Sequence, residues 1–134
     1  MLWHHAESGV WDWLEKRTPY AKSVAGLPLG LISGTAYAQT AVELCRGDLL
    51  LLYTDGITES CDESGAELGQ EGSLSLVRVL PVDPLQGPVA FGHAVVARLK
   101  RFQGSRPQRD DETLVLIQRQ TGIEQVGEIE TEDG

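Results

Sequence analysis

The chain has only 2 cysteines in 134 residues, Cys45 and Cys61, and they stand in no metal-ligand spacing. This argues against a disulfide framework or a cysteine zinc site and leaves two reduced thiols. Cations are also scarce. Eleven Lys and Arg stand against 20 Asp and Glu, a net charge of −9, which disfavours a nucleic-acid binder whose affinity rests on neutralising phosphates. The longest aliphatic run, Leu49 to Leu52 before Tyr53, is far too short to cross a bilayer, so no membrane span is expected. Met1 is followed by Leu2, Trp3, His4 and His5, without the basic and apolar segments of a secretory signal, and a cytoplasmic location is expected. Internal repeats and low-complexity stretches are absent.

What is present suits one soluble domain with a single core, at 41% hydrophobic and 23% charged residues. The acidity is uneven. Glu124, Glu128, Glu130, Glu132 and Asp133 lie in the last fifteen positions with no Lys or Arg among them, so residues 120–134 are predicted to be a solvated, disordered acidic tail. Arg98, Lys100, Arg101, Arg106 and Arg109 form the one basic concentration, which would favour an anionic partner or coat the outer face of a helix.

Val10 to Glu15 alternates with period two and predicts a short strand whose two Trp residues pack. Thr18 to Gly34 is loop-like, broken by Pro19, Gly26, Pro28, Gly30 and Gly34. Ala36 to Leu44 alternates and meets the turn signal Arg46-Gly47-Asp48 before the run Leu49 to Tyr53, predicting an antiparallel pair with a buried second strand. Asp62 to Gly72 is rich in Gly, Ser and acids and reads as a surface loop. Ser73 to Leu80 has helical spacing and stops at Pro81. A longer helix is predicted between Pro84 and Phe102, with Leu85, Val89, Val95, Val96, Leu99 and Phe102 as its core stripe. Thr113 to Ile117 reads as a final central strand. This order gives an α+β fold with helices packed on an antiparallel sheet.

Two acidic clusters flank buried-type strands: Asp55-Gly56 follows Leu49 to Tyr53, and Asp110-Asp111 precedes Leu114 to Ile117. Carboxylates at rigid strand ends, beside a glycine that permits close approach, suit a hard divalent cation. If the two strands are neighbours, their ends lie within about 5 Å and the clusters share one site. The alternative is that these are turn-forming and helix-capping carboxylates. Other motifs fail on spacing. Tyr53 stands where a haloacid dehalogenase needs its nucleophilic Asp, Asp62-Glu63-Ser64-Gly65 lacks the alternating ligands of a calcium loop, and Gly30-Leu31-Ile32-Ser33-Gly34 is no nucleophile elbow. His4, His5 and His93 have no ligand spacing and read as structural or exposed.

Taken together, Gly26-Leu27-Pro28-Leu29-Gly30, the block from Gly47 through Tyr53-Thr54-Asp55-Gly56 to Glu59, the stretch from Gly65 to Gly69, and Asp110-Asp111-Glu112-Thr113 resemble the SpoIIE/RsbU branch of the PPM metal-dependent serine/threonine phosphatases. The resemblance runs from about Leu2 to Arg119, so the chain divides into a partial phosphatase domain over 1–119 and the tail over 120–134. It implies the C-terminal part of an αββα sandwich and a binuclear Mn²⁺ or Mg²⁺ centre. It also implies hydrolysis of phosphoserine or phosphothreonine by a metal-activated water, with no protein nucleophile. On the same resemblance, Asp55 and Asp110 are metal ligands, Asp111 is a neighbour that is not a ligand, Gly56 lets the backbone pass close to the metal, and Thr113 orients the last loop. The family's N-terminal half, which supplies the bridging Asp and a second Asp-Gly block, has no counterpart here. Little or no activity is therefore expected of these 134 residues alone. The implied partners are a phosphorylated anti-sigma-factor antagonist of a bacterial partner-switching pathway and the missing N-terminal half. A non-catalytic remnant that pairs with a second copy is the alternative.

Overall fold

Leu2–His5 (β1) and Val10–Trp13 (β2) form an antiparallel hairpin in register Leu2 to Trp13 and His4 to Trp11, closed by a hydrogen bond from the Gly9 N–H to the His5 carbonyl. This computed structural model describes residues 1–17, 28–37, 41–83, 85–108 and 110–120. A turn of 3₁₀ helix, Leu14–Arg17, follows β2. Leu49–Tyr53 (β3) then pairs antiparallel with β1 on one side and with Leu114–Gln118 (β4) on the other, giving the order β2-β1-β3-β4. Of the strand predicted over Ala36 to Leu44, residues 38–40 lie outside the described residues. None of its described residues is in a strand, because both edges of β3 are already taken by β1 and β4. β4 in turn is an edge strand, not a central one.

Period-two alternation sorts the sheet into two faces. One face carries Leu2, Trp11, Trp13, Leu49 and Leu51, all buried, and the helices Gly69–Arg78 (α2) and Gly87–Gln103 (α3) pack on it. α2 contributes Leu74, Leu76 and Val77, and α3 contributes Phe91, Val95 and Leu99 at every fourth position. Trp11 stacks on Phe91 with ring centroids 5.5 Å apart. On the other face Trp3 and Leu50 are buried, whereas Val115 and Ile117 are each 47% exposed.

Both helices differ from the periodic reading. α2 starts at Gly69, so Gly69 to Gly72 are helical and not loop. The core line of α3 is rotated toward Phe91, which leaves Leu85, Val89 and Val96 exposed. Its first turn carries Pro88, a favoured place for proline, and Gly104 ends it with φ 61°, a left-handed conformation that glycine adopts without a side-chain clash. No helix among the described residues is long and apolar enough to cross a membrane. Gly26 and Leu27 of the first family-like block, Arg109, and 121–134 of the predicted tail lie outside the described residues.

Candidate metal centre

β3 runs toward the end of the sheet from which β4 starts, with Tyr53 opposite Leu114. Asp55, two residues past Tyr53, and Asp110, four before Leu114, therefore leave the sheet at the same end. Asp55 opens a one-turn helix, Asp55–Thr58 (α1), which the periodic reading missed because it is too short for a pattern. Asp55, Asp110, Asp111 and Thr113 are exposed, and Gly56 is buried.

Thr54 fastens the two clusters together. Its N–H donates to the Thr113 carbonyl at 3.2 Å and its hydroxyl donates to the Asp111 carbonyl at 3.1 Å. The same hydroxyl accepts from the Thr113 N–H at 3.1 Å. Gly56 packs against this strap so closely that any Cβ there would overlap the Asp111 carbonyl oxygen. The glycine serves close approach to the loop that carries Asp110 and Asp111. Asp111 and Thr113 are tied into this contact through their backbones. The Asp110 carboxylate accepts from the Asp111 N–H at 2.7 Å, and the Gln108 side-chain amide donates to the Asp110 carbonyl at 2.8 Å.

Beneath the loop lies a buried polar group that sequence patterns did not signal. Gln103, at the end of α3, donates to the Ser60 hydroxyl at 3.1 Å and to the Glu112 carboxylate. The Ser60 oxygen lies 2.9 Å from the Gly56 carbonyl and 3.2 Å from Glu112, and its single proton serves one of them at a time. The loop, α1 and α3 are thus joined through three side chains distant in sequence. Beside them a small cleft of about 80 Å³ is lined by Gly56, Glu59, Glu67, Arg106 and Asp110 among others. The acidic stretch at Asp62 is a turn, as expected, with its carboxylate accepting from Ser64 and Ala66.

At the opposite end of β3, Asp48 is buried and accepts from the Trp3 indole at 3.1 Å, the Ala6 N–H at 2.9 Å and the Cys45 N–H at 2.9 Å. Burial pushes its carboxyl up, but the donors, Ala6 and Cys45 first and then Trp3, outweigh burial and hold it below the usual range. His4, its ring tilted against Trp11 at 5.1 Å between centroids, is buried as well, and burial lowers it despite the opposing pull of Asp48. These groups are structural and lie away from Asp55 and Asp110.

Two exposed carboxylates are hard oxygen donors that fit Mg²⁺ or Mn²⁺ in kind. In number they fall short. Among the described residues no three His, Cys, Asp or Glu side chains are gathered to hold an ion.

Residues 9–120 match the family of stage II sporulation protein E, SpoIIE. The chain belongs to this family. Among solved structures it is similar to the SiaA-PP2C domain of Pseudomonas aeruginosa, with 31% identity and a TM-score of 0.54, over 63% of this chain and 34% of that one. The shared architecture is the antiparallel sheet with helices on one face, and the chain spans about a third of the length of the solved domain. No curated protein matches it.

Proposed function

We propose that the chain is the C-terminal portion of a metal-dependent protein serine/threonine phosphatase of the SpoIIE/RsbU branch. The observation that carries this reading is the strap at Thr54, which holds the Asp55-Gly56 turn against the Asp110–Thr113 loop at one end of paired strands. Asp55 and Asp110 are the residues that would hold Mn²⁺ or Mg²⁺. Such an ion, when bound, supplies an acidified water and neutralises charge on the phosphoryl group. The chain's own residues set the donors: Thr54 and Gly56 fix the loop backbone, and Ser60, Gln103 and Glu112 brace it from below. The substrate class is a phosphoserine or phosphothreonine protein, an anti-sigma-factor antagonist in a bacterial partner-switching pathway, and the setting is cytoplasmic. With two carboxylates only, the isolated 134 residues have little or no turnover.

The test is a protein in which these residues are completed by the upstream half of such a domain. Asp55→Asn and Asp110→Asn should each abolish Mn²⁺-dependent hydrolysis of a phosphoserine peptide while the fold stays intact. Unchanged turnover in both would refute the assignment.

A second reading, a non-catalytic remnant that pairs with another copy, is favoured by one observation. β4 is an edge strand without a charged residue, and its Val115 and Ile117 are half exposed. Such edges tend to be covered by another strand.

A further inference from the structure

The helix layer carries, on its outer side, an open groove of about 520 Å³ between α2 and α3. Its apolar floor is Leu68, Leu76 and Phe102, and its wall is Arg98 and Arg101, one turn apart on α3. Leu68 can lie across α2 because Gly72 has no side chain. A Cβ at Gly72 would stand 2.9 Å from the Leu68 methyl. Both arginines are exposed, and neither forms a hydrogen bond or ion pair with the described residues. These two guanidinium groups, beside an apolar floor, have no anionic partner among the described residues although the chain carries a net charge of −9. An occupant that satisfies both features must be acidic and must carry apolar side chains.

We propose that this groove receives residues 121–134 of the same chain. That segment holds five carboxylates, Glu124, Glu128, Glu130, Glu132 and Asp133, and no Lys or Arg. It also holds Ile123, Val126 and Ile129, spaced by three, as apolar groups for the floor. Reach is sufficient. The segment follows β4, which starts near the Gln103 end of α3 and runs back about 17 Å. Fourteen extended residues span at most about 50 Å, enough to return to Arg98 and Arg101. Tethering raises the effective concentration of the segment into roughly the millimolar range, which offsets the weakness of each exposed ion pair. Docking is therefore partial, intramolecular and sensitive to salt. The inference stands apart from the phosphatase reading, because no residue of the groove belongs to the metal centre.

The experiment is nitrogen-15 NMR on the full chain between low salt and about 1 M salt, where the screening length shrinks to about 3 Å. The amide signals of residues 123–130 and those of Leu76, Arg98, Arg101 and Phe102 should move together and independently of protein concentration. The double variant Arg98→Glu/Arg101→Glu should lose this joint shift. Adding Glu128→Lys/Glu130→Lys to it, which swaps the charges, should restore the shift. All four positions are charged in both forms, so the swapped chain also controls for folding. Groove signals that ignore the segment would overturn the proposal. A joint shift that vanishes on dilution would overturn it too, because the occupant would then be a second copy.

Discussion

Asp48 gathers three donors from separate parts of the chain, the Trp3 indole and the N–H groups of Ala6 and Cys45, onto one buried carboxylate. Because its folded pKa is lowered, the stabilisation is complete above the unfolded value of about 3.9 and is lost as pH falls through the folded value. His4 is lowered too, so the unfolded chain takes up its proton first, and stability begins to fall below about pH 6.5. Denaturant melts across pH should therefore show two losses on acidification, the first removed by His4→Phe and the second by Asp48→Asn. Asp48→Asn also weakens the fold at neutral pH, since its amide replaces one acceptor by a donor. In the site, Gln103→Ala leaves Ser60 and Glu112 short of a partner and should destabilise by about 1–3 kcal/mol. Faster hydrogen exchange at Glu112 and Thr113 would locate the loss, and unchanged exchange would count against the brace. None of this was legible in the sequence. The Ser60, Gln103 and Glu112 contacts join residues 9 to 52 positions apart, and polar pairs at such separations leave no periodic trace. That the Asp55-Gly56 and Asp110-Asp111 blocks leave the sheet at one end was legible, because each abuts a strand of consecutive apolar residues.

Among the elements, β3 and β4 were readable from composition alone, since runs such as Leu49 to Tyr53 have few other uses. β1 was not, because Leu2-Trp3-His4-His5 offers two imidazoles where a buried strand should be apolar. The structure buries His4 against Trp11. The helix stripe on α3 was displaced because Phe91 was left out of it, although Val95 and Leu99 were placed correctly. β4 carries the element-scale prediction. With an edge that no described strand covers and half-exposed Val115 and Ile117, the chain should sediment as a concentration-dependent dimer at high concentration, and Val115→Lys/Ile117→Lys should return it to monomer. A strictly monomeric wild-type chain that folds cooperatively would remove the ground for the remnant reading.

At the scale of the molecule, the α+β order and the membership in the SpoIIE family agree with what the paired acidic blocks imply. One sheet with helices on a single face spans about a third of the solved SiaA-PP2C domain and leaves Val115 and Ile117 half exposed on its other face. The proposed metal centre depends on Asp55 and Asp110 acting on one ion. Mn²⁺ titrated into the nitrogen-15-labelled chain tests this most directly, since the ion broadens nearby amide signals. The account predicts weak binding in which Asp55, Gly56, Asp110 and Asp111 broaden together, and Asp110→Asn abolishes the effect. Broadening confined to the acidic residues 121–134, or unchanged by Asp110→Asn, would contradict a shared site at the strand ends.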